Sequence, residues 1–136
     1  MKLLMMFTRS FSYVPKIKNL DACETKDEGE QFENALLAFI QAEESDEEDM
    51  KKVETKLLKN LKWAAKKNDT NKVILHSFAH LSESKASPEF TKELFDKADA
   101  RMKNADYETF QTPFGYFLDL SLDAPGYSLA RIFKSF

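Results

Sequence analysis

With 136 residues, 43% of them apolar and twelve of them Phe, the chain is long enough for one domain with a real core and too apolar for a disordered segment. Charged residues make up 32% and the formal net charge is -3, which excludes a partner held by global positive charge while leaving local basic patches open. The single cysteine, Cys23, excludes an intrachain disulfide and fits a reducing, cytoplasmic setting. No apolar run approaches the roughly 20 residues of a membrane span, so no membrane partner is expected.

The opening M-K-L-L-M-M-F holds a five-residue apolar run, Leu3–Phe7. It falls short of the about 7–15 residues of a secretory signal, and reads as a buried first strand. Arg9–Glu30 is polar and irregular, with Pro15, Gly29 and charges over Glu24–Glu30, and has room for a second strand near Ser12–Ile17. Asn34–Ala42 is apolar and is assigned a strand by its place before a clear helix. That helix is Asp46–Asn68. Ser45 is its expected N-cap and Glu48 the capping-box partner. Acids fill its first turn and lysines its last, as the helix dipole favours. Met50, Val53, Leu57, Leu61 and Ala64 form its apolar stripe.

Val73–Leu75 is the next strand, followed by a polar turn through Ser87. A second helix covers Pro88–Lys103, capped by Ser87, with Pro88 at its first position and Phe90, Leu94, Ala98 and Met102 facing inward. Strands at Tyr107–Gln111 and Gly115–Leu122 flank a T-P-F turn. Pro125-Gly126 breaks the chain, and Ser128–Phe136 is expected to form a short terminal helix. Two helices, each between strands, predict an α/β domain over residues 1–136: a mixed sheet with its helices packed on it.

Chemistry is sparse. His76 and His80 are the only histidines. They are four apart but on a strand end and a loop, and no Cys or carboxylate stands at a companion spacing, so neither a metal nor another cofactor is expected. His80 is the better pocket residue, because ligands bind beyond the carboxyl ends of strands in sheets with helical crossovers. Ser77, Ser82, Ser84 and Ser87 lack the G-x-S-x-G setting of a serine nucleophile. The lysines of Lys51–Lys67 could contact phosphates but read more simply as a solvated helix face, and Phe7, Phe39, Phe78 and Phe114 read as core.

Two motifs go further. Val73–Ser82 (V-I-L-H-S-F-A-H-L-S) and Pro113–Tyr116 (P-F-G-Y) make the chain resemble the editing domain of archaeal threonyl-tRNA synthetases. M-K-L-L-M-M at the start, L-L-A-F-I-Q-A-E at residues 36–43 and G-Y-S-L-A at residues 126–130 extend the similarity over essentially the whole chain. The resemblance implies a D-aminoacyl-tRNA deacylase-like fold with β/β/α layers and a homodimer. It implies hydrolysis of seryl-tRNA formed in error, with the tRNA 3′ end as ligand. Here that would happen in trans, beside a separate threonyl-tRNA synthetase. Editing has a physical motive: one methyl group supports only about 1–3 kcal/mol of discrimination, so a second site must remove the error.

Carried over by motif, His80 matches the family's pocket histidine. Ala38, Phe39 and Ile40 match the strand lining the amino-acid pocket. Pro113, Phe114, Gly115 and Tyr116 match the motif beside the ester, with His80 and Tyr116 as the catalytic candidates. Several positions depart. Phe117 and Leu118 stand where the family has tyrosine and lysine, Arg131 where it has glutamate, Phe7, Thr8 and Arg9 where it has H-S-D, and Gly126, Tyr127 and Ser128 where it has G-H-P. Two functional readings follow. One is an aminoacyl-tRNA deacylase. The other is a catalytically degenerate relative that binds tRNA, a small ligand or a synthetase without hydrolysis.

Overall fold

The computed structural model describes residues 1–18 and 28–136. The part of the irregular stretch at 19–27, with Cys23 and the first of the charged residues, lies outside the described residues. The described chain forms six strands, β1 (Lys2–Lys18), β2 (Glu30–Gln41), β3 (Lys72–Ser77), β4 (Glu108–Gln111), β5 (Tyr116–Asp123) and β6 (Arg131–Ser135), and two helices, α1 (Met50–Lys67) and α2 (Pro88–Asn104).

The two strands expected at Leu3–Phe7 and Ser12–Ile17 are one strand of 17 residues. The polar residues between them do not break it, because Thr8 and Arg9 both find partners. The hydroxyl of Thr8, fully buried, donates to the Ala35 carbonyl at 2.8 Å. The guanidinium of Arg9 forks onto exposed Asp123 at 3.0 and 2.9 Å.

The start of α1 also differs from expectation. Ser45 does not cap it; Asp49 does, accepting from the Lys52 amide at 3.1 Å. Glu44–Glu48 forms a separate 3-10 turn. The Met1 ammonium explains this, since it draws in the carboxylates of Glu43 and Asp46 at 2.6 and 2.9 Å. That long-range demand detaches the first turn from the helix. At α2, Ser87 caps as expected, accepting from the Phe90 amide at 3.1 Å.

The expected terminal helix over Ser128–Phe136 is instead a single 3-10 turn, Ser128–Ala130, followed by β6. β5 occupies one edge of β1 only from Ser10 to Lys18. β6 takes the remaining part of that edge, pairing Lys2–Met6 with Arg131–Ser135. An unpaired strand edge is a strong template, and it overrides weak local helix preference.

The sheet runs β4-β3-β2-β1-β5, with β6 beside β5 on β1. β2, β3 and β4 are parallel and joined through α1 and α2, whereas β1 is antiparallel to β2, β5 and β6. One face packs Leu3, Met5, Leu36, Ala38 and Ile40 against Leu57, Leu61, Leu94 and Ala98 of the helices. The other gathers Phe11, Phe32, Leu37, Phe39 and Ile74. The mixed α/β class expected above is the class observed.

Candidate functional site

A cavity of about 310 Å³ opens where the carboxyl ends of the parallel strands meet the start of α2. Such a place collects loops and helix N-termini, which is why α/β sheets bind ligands there. Its walls include Ile40–Ala42 at the end of β2, His76–His80 at and beyond the end of β3, Pro88 and Thr91 of α2, and Pro113–Leu118 leading into β5.

The loop between β3 and α2 is held over β2 by one side chain. Gln41 donates through Nε2 to the carbonyls of Ser82 and Ser84 at 2.8 and 2.9 Å. Its Oε1 accepts from the amides of Leu81 and Ser82 at 2.7 and 2.8 Å. All four hydrogen-bonding positions of the amide are thereby used. Backbone pairs from Phe78 to Ile40 (3.0 Å) and from Ala86 to Ala42 (2.9 Å) close both ends of the loop.

His76 forms part of the inner wall. It is 6% exposed, and its Nδ1 lies 2.8 Å from the Thr112 hydroxyl. Phe39 meets it edge-on, with ring centroids 5.4 Å apart. Burial pushes its pKa down from 6.5 to about 4, so the imidazole is neutral at pH 7. His80 stands exposed at the rim, edge-on to Phe78 at 5.0 Å. Gly115 turns the chain into β5 at a φ of 82°, a left-handed conformation that a side chain would strain. Phe114 reaches back toward Phe95 of α2 at 6.3 Å.

The residues singled out by motif therefore separate. Ile40, His80, Pro113, Phe114, Gly115, Tyr116, Phe117 and Leu118 line the cavity. Ala38 is fully buried under the helices. Phe39 lies behind the wall, where it orients the rings of His76 and Phe78. Arg131 is exposed at the start of β6, donating to the Pro125 carbonyl at 2.8 Å, and is not among the lining residues. Arg9 is likewise engaged elsewhere, with Asp123.

Among the lining residues not assigned to the site from the sequence are His76, Gln41 and Lys85. His76 and Gln41 lie inside the matching stretches V-I-L-H-S and L-L-A-F-I-Q-A-E, where their strand-end position was the available signal; Lys85 had no local mark. Among the described residues, Lys85 is the only cation on the walls and no carboxylate lines them. No group of three or more His, Cys, Asp or Glu among the described residues is placed to hold a metal. The arrangement is an apolar slot with backbone amides, two imidazoles, a phenol and one ammonium. It suits binding and polarising a small polar group at the end of a longer ligand.

Fold and site together define an α/β domain with a ligand slot at the carboxyl ends of its parallel strands. A solved structure titled c-Myc DNA Unwinding Element Binding Protein shares the fold, with a TM-score of 0.69 and 11% identity over 99% of this chain and 98% of that one. The archaea-specific editing domain of threonyl-tRNA synthetase matches residues 1–136, and the chain belongs to that family. Threonine–tRNA ligase of Staphylothermus marinus is 30% identical over 99% of this chain, and that of Thermofilum pendens 28% over the same share. The chain spans 22% of the length of each of these ligases. Family membership supports a tRNA-related, editing-like role in translation. No helix among the described residues is long and apolar enough to cross a membrane.

Proposed function

We propose that this domain hydrolyses the ester between a wrong amino acid and the terminal ribose of tRNA, with seryl-tRNA the first substrate to test and a separate threonyl-tRNA synthetase as its partner, acting in trans in the cytoplasm. The observation that carries the reading is the open slot beside His80, formed by the two family motifs and left free by Arg131. In this reaction water adds to the ester carbonyl, and the tetrahedral oxyanion collapses to free amino acid and the ribose hydroxyl. The enzyme must position that water and stabilise the oxyanion. His80 and Tyr116 are the side chains assigned to the reacting end, and Ile40 and Pro113–Gly115 shape the amino-acid slot. Leu118 supplies no charge where the family has a lysine, and loss of one such donor typically costs about 2.7–4 kcal/mol of barrier. The reaction therefore relies more heavily on backbone amides and the substrate's own 2′-hydroxyl.

The test is a panel of mischarged tRNAs with purified protein. Amino acid release is expected, slowed by His80→Ala. No release from any member, with tRNA still bound, would favour the second reading, a binding relative without hydrolysis. Leu118 is the observation that favours that second reading.

A homodimer is proposed through the exposed apolar side chains of the β1–β5 edge. Ile17 and Phe117, opposite each other on β1 and β5, are 62% and 51% exposed, with Val14 exposed on the same face of the sheet. A strip of this kind is costly to leave in water.

A further inference from the structure

The charge of this protein is segregated. α1 carries seven lysines and one acid, Glu54, against an overall net charge of -3. Glu54 is buried and taken by Arg101 of α2 at 3.1 Å. α2 carries four cations and four acids, and three of its lysines are neutralised along the helix. Lys92 meets Asp96, Lys97 meets Glu93 and Lys103 meets Asp99, all within 3.1 Å. Among the described residues, no α1 lysine meets a carboxylate.

This is not a generic solvated face. Lys52 and Lys56, and Lys62 and Lys66, are like-charge pairs one turn apart, an arrangement that weakens a helix. Lys52, Lys59 and Lys66 are seven residues apart, so they align on one line opposite the buried stripe, with steps of about 10 Å. Beside them lies Trp63, 41% exposed, with the Lys134 ammonium 5.6 Å from its ring centroid. α1 starts eight residues beyond Ala42, which lines the slot, after the acidic stretch Glu43–Asp49, and runs on for about 27 Å.

We infer that the outer face of α1 is a docking surface for the phosphodiester backbone of an RNA stem, whose 3′ end enters the slot. The inference rests on the reading that the domain meets tRNA, and extends it to where the stem lies. Lys52, Lys59 and Lys66 each neutralise a phosphate, and Trp63 offers an apolar flank. The partner relieves the repulsion that the isolated helix carries. Binding is set by charge, so it is insensitive to stem sequence and falls with salt.

The experiment measures tRNA binding by fluorescence anisotropy across a salt series, for the wild type and for Lys52→Glu/Lys59→Glu/Lys66→Glu. A second variant, with the three lysines changed to Gln, removes the charges without reversing them. Circular dichroism reports folding of both. The slope of log Kd against log salt should fall by about 3 in both variants, with at least about tenfold weaker binding near 0.1 M salt. Hydrolysis of a seryl-adenosine ester, which has no stem, should be unchanged. Lysine-dependent tRNA binding without any hydrolysis would leave this surface standing and sink the editing reading. Wild-type slope and affinity in folded variants would overturn the surface while leaving editing intact. Failure of the wild type to bind tRNA, or equal binding to anionic phosphatidylserine vesicles, would also overturn it.

Discussion

Acidification from pH 7 to pH 5 should destabilise this domain through His76. The ring is 6% exposed, packed against Phe39 and Phe78, with Nδ1 on the Thr112 hydroxyl. Burial lowers its folded pKa from 6.5 to about 4. Between those values the unfolded chain binds the proton and the folded chain does not. Stability from the neutral ring is thus present above about pH 6.5 and is lost as pH falls toward 4. The loss between pH 7 and pH 5 is about 2 kcal/mol, a large part of a typical domain's margin. Urea unfolding at pH 7, 6 and 5 measures it directly. A His80→Gln background leaves His76 as the only histidine. His76→Gln in that background should flatten the profile. Two parallel profiles, with and without His76, would refute the argument.

Further acidification should expose a second step. Burial disfavours the Glu43 carboxylate, but hydrogen bonds from the Met1 ammonium, Ser82 and Lys2 outweigh it and hold its pKa at about 2. Its stabilisation is present above about pH 4.5 and lost toward 2, so Glu43→Gln should cost about 3 kcal/mol at pH 7 and progressively less in acid, read by thermal melts. Gln41→Ala should strand the Leu81 and Ser82 amides at about 1–3 kcal/mol each. Hydrogen exchange should rise in the loop between β3 and α2 before the strands respond. Phe117→Asp should give a folded monomer by light scattering if the β1–β5 edge joins two copies; an unchanged dimer would place the interface elsewhere.

Local chemistry made much of the fold legible. Ser87 and Pro88 announce α2 because capping and a fixed φ act within one turn. F-A-H-L-S and P-F-G-Y mark the stretches that line the slot, because both follow strands whose carboxyl ends must adjoin in a parallel sheet. Elsewhere the sequence misled. Thr8, Arg9 and Ser10 look like a break until their partners, Ala35 and Asp123, arrive from distant strands. Gln41 looks like an ordinary strand end, and its four hydrogen bonds all reach residues about 40 positions away.

The sequence alone determined the class of the fold, the two helices and the motif residues of the family, because periodicity, capping and short motifs are local properties. Tertiary structure decided the rest. It moved the cap of α1 to Asp49, since the Met1 ammonium needed Glu43 and Asp46. It made Arg131–Ser135 a strand, since half of one β1 edge was unfilled. It kept Arg131 out of the slot, put His76 into its wall, and left the lysines of α1 without a carboxylate partner among the described residues. Each of these depends on which distant groups share space and dielectric, and that is settled only when the sheet closes.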